Sequence, residues 1–259
     1  MKNQNRVAAR IAAGMVALAS AAGTARAEFT PFEMWICDST STVGRVDVRN
    51  GAVLQTFQIP GGVDFWDIAF DPSGTMYGIS SSKLYRVDTT TGAVAEVGDY
   101  GPPNFSALVF GADGTLYAAG GSTLYTINPL NAASTVIGVM GFSSAGDLAF
   151  SGSTLYMTTT TNDLVRVNAS TGATELVGAL GVSQVLGLAT SNNGITYAMA
   201  GTTIYSVDLS SGALTAVSTY SSSTLGTAWG GAFVCEATPA PGALALLALG
   251  GIACVRRRR

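Results

Sequence analysis

The chain has no histidine, and only 11% of its 259 residues are charged. Without imidazole there is no His general base, no Ser-His-Asp triad and no His-ligated zinc centre. Basic residues are few and unevenly placed. Of 13 Lys and Arg, four (Lys2, Arg6, Arg10, Arg26) lie near the start and four form the terminal run Arg256-Arg257-Arg258-Arg259. The stretch between keeps five basic residues against all 16 acidic ones. Such a body has no basic stripe to follow a phosphate backbone, so nucleic acid is not expected as a partner. Cationic contacts for a redox cofactor are equally short, and no cofactor is expected. Helix formers such as Glu and Lys are scarce as well, whereas Thr, Ser, Gly, Val and Tyr abound. Those residues suit half-buried strands and tight turns, which makes the expected class all-β.

Both ends differ from this body. Residues 1–27 have the three parts of a secretory signal: a basic start, an apolar run over residues 11–22, and the small-x-small site Ala25-Arg26-Ala27. Cleavage is expected before Glu28. At the other end, Pro239-Ala240-Pro241 precedes a small-apolar run over residues 242–255, which stops at the four arginines. As a helix those 14 residues would span only ~21 Å, short of the ~30 Å hydrocarbon core of a bilayer. The arginines would hold their side in the cytoplasm. This order of Pro-x-Pro, apolar run and Arg cluster resembles the PEP-CTERM sorting signal over residues 237–259. The resemblance implies an exosortase-like sorting enzyme as partner and a transient membrane anchor, although Ala240 stands where the family name implies Glu. A plain C-terminal membrane anchor is the alternative. The expected division is therefore a signal peptide at 1–27, a folded body at 28–236 and a sorting tail at 237–259.

The body is repetitive. Leu84-Tyr85-Arg86-Val87-Asp88 recurs as Leu124-Tyr125-Thr126-Ile127-Asn128, Leu164-Val165-Arg166-Val167-Asn168 and Ile204-Tyr205-Ser206-Val207-Asp208. A diverged copy, Gly44-Arg45-Val46-Asp47, comes earlier. The Asp/Asn positions 47, 88, 128, 168 and 208 are 41, 40, 40 and 40 residues apart. Each unit reads as four short strands joined by turns such as Asp71-Pro72-Ser73-Gly74. The recurring Asp or Asn is expected to cap a turn, with Gly four residues on in every unit but the third, where Ala132 takes its place. Four strands in about 40 residues is the spacing of a β-propeller blade. The Leu-Tyr-x-Val-Asp-x-x-x-Gly core resembles repeats of secreted propellers, including the quinone-repeat class, and Phe70-Asp71-Pro72-Ser73-Gly74-Thr75-Met76-Tyr77 is similar to the NHL-type blade.

The ends of the body fix the expected blade count. Trp35 precedes Asp47 by 12 residues, matching the 11 or 12 that separate Tyr77, Tyr117, Tyr156 and Tyr197 from their Asp/Asn partners. The first unit therefore lacks an inner strand, and the stretch 227–233, around Trp229, has no unit of its own. Supplying one to the other gives five blades and leaves no open ring. Four blades with an N-terminal hairpin is the competing count. Closure would also bring Cys37 near Cys235, and in an oxidising compartment the two would bond if the register allows it. Two separate buried thiols are the alternative.

Chemistry is expected at one end of the central channel, on the segments leading into the inner strands. Asp67 and Asp147 hold one register two blades apart, with Ala107, Gly187 and Gly226 read as their equivalents. The pair is a candidate cation site, with each aspartate capping its own strand entry as the alternative. Trp66 and Trp229, with Phe65, are candidates for an aromatic platform, or else for packing between blades. A glycosidase would need two or three channel carboxylates, one of them a general acid, and no further acidic residue joins Asp67 and Asp147 at the equivalent positions. The expected function is therefore a non-enzymatic, monomeric, exported propeller at the cell surface or in the extracellular matrix, acting as an interaction module. A glycan or small-ligand-binding propeller and a propeller hydrolase or lyase are the alternatives.

Overall fold

Short apolar runs of four to eight residues, separated by Gly- and Asp-rich turns, leave the chain little choice but strands. The computed structural model describes residues 31–101 and 104–234. The signal site Ala25 and Ala27, the tail with Pro239, Ala240, Pro241 and Arg256 to Arg259, and Cys235 lie outside the described residues. Among these, twenty strands form five four-stranded antiparallel sheets, the blades of a propeller.

The first blade contains β1 (Glu33–Asp38), β2 (Thr42–Asp47) and β3 (Ala52–Gln58). The second runs β4 (Asp67–Phe70), β5 (Met76–Ile79), β6 (Lys83–Val87) and β7 (Val94–Asp99). The third is β8 (Ala107–Phe110), β9 (Leu116–Gly120), β10 (Thr123–Ile127) and β11 (Ser134–Val139). The fourth is β12 (Ser144–Ser151), β13 (Thr154–Thr159), β14 (Asp163–Val167) and β15 (Thr174–Ala179). The fifth is β16 (Val185–Thr190), β17 (Thr196–Ala200), β18 (Thr203–Val207) and β19 (Leu214–Thr219). The last strand, β20 (Ala228–Phe233), returns to the first blade and pairs with β1, giving the order β20-β1-β2-β3. Five blades, closed by the C-terminal strand, are what the repeat arithmetic requires.

The recurring Asp and Asn cap turns in all five units. Their Oδ1 atoms accept the N–H two residues on: Arg49 for Asp47, Thr90 for Asp88, Leu130 for Asn128, Ser170 for Asn168 and Ser210 for Asp208, at 2.8–3.0 Å. The residue four on has a positive φ in every case, and Ala132 adopts it too, at 60°.

Blades are joined by apolar packing, including an aromatic ladder. A ring on the second strand of one blade meets a Phe on the inner strand of the next: Trp35 with Phe70, Tyr77 with Phe110, Tyr117 with Phe150, and Tyr197 with Phe233, at 5.2–6.3 Å between centroids. Such pairs add ~0.5–1.5 kcal/mol each beyond their burial. In the fifth blade Thr190 replaces the Phe, and its hydroxyl bonds Thr196 at 2.8 Å instead.

Candidate functional site

Register identifies one equivalent inner-strand position in each blade. Ala69, Ala149, Ala189 and Ala232 each sit opposite a Tyr or Trp of the neighbouring strand. Two residues before them stand Asp67, Asp147, Gly187 and Gly230, with Ala107 in the third blade. Gly226 therefore does not share the register of the two aspartates; Gly230 does. The reason is extra chain in the last connection, where the turn at 221–225 carries hydrogen bonds from Thr224 and Leu225 N–H to Ser221 O and displaces β20 along the sequence.

Asp67 and Asp147 are fully buried, and their oxygens are turned onto backbone. Asp67 Oδ1 accepts the N–H of Ile68 at 2.7 Å, and Oδ2 that of Leu108 in the third blade at 2.6 Å. Asp147 repeats the arrangement with Leu148 at 2.7 Å and with Leu188 in the fifth blade at 2.7 Å. Asp147 Oδ2 also accepts from Gly231 of β20 at 3.2 Å. Each carboxyl thus caps its own strand and bridges to the next blade, a reach the sequence did not reveal. The two carboxyls are neighbours at the axis, reaching consecutive residues of β20, Gly230 and Gly231. Burial first, and then the charge of Asp67, push the Asp147 carboxyl well above the usual carboxylate range. Each of the four carboxyl oxygens already accepts a backbone N–H. Among the described residues no cluster of three or more His, Cys, Asp or Glu is placed to hold a metal ion.

One residue earlier in each blade is the mouth of the channel. Trp66, Ser106, Gly146, Leu186 and Trp229, with Ala145, line a cavity of about 280 Å³. Trp66 N–H donates to Ile79 O at 2.8 Å and Ser106 N–H to Ala119 O at 2.9 Å, so these positions belong to the sheets and not to loose loops. Trp66 and Trp229 come from neighbouring blades and are half-buried, leaving part of each indole exposed. Phe65 is not part of this platform. It is buried beneath Gly78, with its ring 5.7 Å from that of Tyr85. Alternation along an extended strand turns residues 65 and 66 to opposite sides.

No charged side chain lines the mouth. The five bases of the body are engaged elsewhere: Arg45 with Glu33, Arg49 with Asp47, Lys83 with Glu96, Arg166 with Glu175, and Arg86 with the Tyr77 hydroxyl. Cys37, on β1 opposite Gly230, is a free thiol that donates to Gly230 O at 3.7 Å. Burial, and then the nearby Asp67 and Asp147, hold that thiol in its neutral form.

Sequence reasoning missed a second set of residues. Gly98, Gly138 and Gly178 share one register on the outer strands. Each presses on the turn of the following blade: a Cβ would stand 2.8 Å from Asn131 O, 2.0 Å from Thr171 O and 2.0 Å from Ser211 O, respectively. The recurring Val97-Gly98, Ile137-Gly138 and Val177-Gly178 was the available signal.

These features define a closed five-bladed β-propeller with an uncharged, Trp-walled channel mouth over a buried carboxyl pair. No protein-family model and no curated protein matches the chain. Solved structures do. One is a symmetrical protein whose de novo evolutionary emergence is described as shaped by folding constraints, at 17% identity and a TM-score of 0.54, covering 74% of this chain and 95% of that one. Another is a protein of unknown function from Bacteroides thetaiotaomicron VPI-5482, at 16% identity and a TM-score of 0.53, covering 71% of this chain and 57% of that one. A virginiamycin B lyase from Staphylococcus aureus aligns at 14% identity with a TM-score of 0.44, covering 72% and 70%. At such identities the likeness is one of fold.

Proposed function

We propose that this protein is a non-enzymatic, exported binding propeller that takes a ligand with an uncharged apolar or ring face at the channel mouth. The observation that carries the reading is the cavity walled by Trp66 and Trp229, with no charged side chain in its lining. Exposed indole surface in a concave, rigid setting favours a ligand that brings a flat or C–H-rich face and little charge. An anion would lose its hydration there without a cation to replace it. A hydrolase or lyase would need an acid or base in contact with the ligand. Asp67 and Asp147, which follow the lining residues Trp66 and Gly146 in sequence, are buried and committed to backbone N–H groups.

The signal-like and tail-like ends support display at the cell surface or in the matrix, with the tail as a transient anchor handed to an exosortase-like enzyme. The test is a thermal-shift screen of neutral glycans and uncharged aromatic compounds on the purified body. A hit should raise the melting temperature of the wild type and do so no longer in Trp66→Ala and Trp229→Ala. Hits that survive both substitutions would move the site away from the mouth. Activity dependent on Asp67 or Asp147 in a hydrolase and lyase panel would overturn the non-enzymatic reading.

A further inference from the structure

The carboxyl pair occupies the place where all five blades meet. Asp67 joins the second blade to the third through Leu108, and Asp147 joins the fourth to the fifth through Leu188. Both also lean on the closing strand at consecutive residues. Asp67 Oδ1 fills the space of a missing Cβ at Gly230, and Asp147 Oδ2 accepts from Gly231 N–H. Two fully buried carboxyls that reach consecutive residues of one strand repel each other if both are ionised. A proton kept by one of them removes that repulsion and supplies a donor where two carboxylates offer only acceptors.

We propose that Asp67 and Asp147 form a proton-dependent clasp, in which one shared proton holds β20 to the second and fourth blades and closes the ring. Folding then takes up one proton: an ionised pair in the unfolded chain becomes one carboxyl and one carboxylate in the folded chain. Departure of that proton places two negative charges side by side in a site closed to solvent, and the repulsion falls on β20.

The direction of the pH dependence follows from the pair. The unfolded aspartates titrate near their ordinary value of about 3.9, and in the folded chain burial, and then the charge of Asp67, raise the Asp147 carboxyl well above it. The clasp's contribution is therefore complete below about pH 4 and declines as pH rises, until the folded pair itself ionises. Few other groups face it. From β1 come the Cys37 thiol and, at the strand end, Asp38, whose carboxylate is held by the N–H groups of Thr40, Thr42 and Gly226. The strands β8, β16 and β20 bring no titratable side chain. Tyr77, Tyr117 and Tyr156, on β5, β9 and β13, lie two or more residues further out along their strands, and Tyr77 bonds Arg86.

The experiment is the melting temperature of the wild type, Asp67→Asn and Asp147→Asn from about pH 4 to about pH 9. The wild type should lose melting temperature with rising pH. The Asn variants should melt lower in acid, having lost an acceptor, and vary little with pH over the range in which the wild type declines. A flat wild-type profile, or an Asn variant with the wild-type slope, would overturn the clasp. If neither variant folds, ¹³C NMR of the aspartate carboxyl carbons in the wild type decides it. One protonated aspartate at about pH 6 supports the proposal, and its absence refutes it. Amide exchange at Gly230 and Gly231 should rise first as that signal titrates.

Discussion

Gly230 lies so close to Asp67 that a Cβ at position 230 would stand 2.0 Å from Asp67 Oδ1 and 2.9 Å from its Cα. The closing strand can reach the axis only because this residue has no side chain, and the buried carboxyl takes the space. Gly230→Ala is therefore expected to destabilise the fold by about 3 kcal/mol, as forced overpacking does. Gly226→Ala, whose Cβ would meet Asp38 Oδ2 at 3.0 Å, should cost about 1 kcal/mol. Urea unfolding of the two variants measures the difference, and equal costs would place the wrong glycine at the axis.

Cys37 offers a second check on the closed ring. Its side chain is 1% exposed and its thiol is kept neutral by burial and by the neighbouring carboxyls. The thiolate is the reactive form, so alkylation of Cys37 in the folded protein should proceed at the rate of global opening. Peptide mapping after brief iodoacetamide treatment, with and without denaturant, reads this out. Rapid native labelling would mean that β20 leaves β1 readily.

The three tryptophans divide by environment. Trp35 is 4% exposed, packed between Phe57 and Phe70, whereas Trp66 and Trp229 are half-buried at the mouth. Acrylamide should quench two components of the emission and spare one. Trp66→Ala and Trp229→Ala should each remove one quenchable component at a stability cost below about 2 kcal/mol, while Trp35→Ala should cost about 3–5 kcal/mol as a core truncation.

The glycines of the outer strands set how tightly blades stack. Gly138 and Gly178 face the backbone of the next turn, with room for no carbon between. Alanine at either position should destabilise by about 2–3 kcal/mol, and the double variant should show nearly additive losses because the two contacts lie at different blade junctions. Thermal melts of the single and double variants test this.

The two ends call for a measurement on the protein recovered from its own cells. Mass analysis of the mature chain should find Glu28 at the N-terminus. Deletion of residues 239–259 should release folded propeller into the medium. Retention of the truncated protein in the envelope would remove the tail as the anchor.

Much of the fold was legible because each blade is built from local signals. The Asp or Asn turn caps, the β-branched and aromatic strands and the 40-residue period require no knowledge of distant residues. Blade closure was legible too, since an unpaired inner strand at one end matched a blade lacking one at the other. The register of that closure was not. The motif spacing pointed to Gly226, whereas β20 is set by Cys37 facing Gly230 and by the turn before it. Phe65 and Trp66 also looked alike in sequence, and only strand alternation sends one into the core and the other to the mouth.

By itself, the sequence determined the period, the turn chemistry, the number of blades and the strand that closes them, because hydrophobic alternation and turn residues act over a few neighbours. Tertiary structure alone decided what the channel contains. Asp67 and Asp147 are 80 residues apart in sequence, and nothing local says that both reach the closing strand or that Gly230 yields its space to one of them. That outcome comes from closing five twisted sheets around one axis, which forces the first residues of the inner strands into a common volume too small for five side chains.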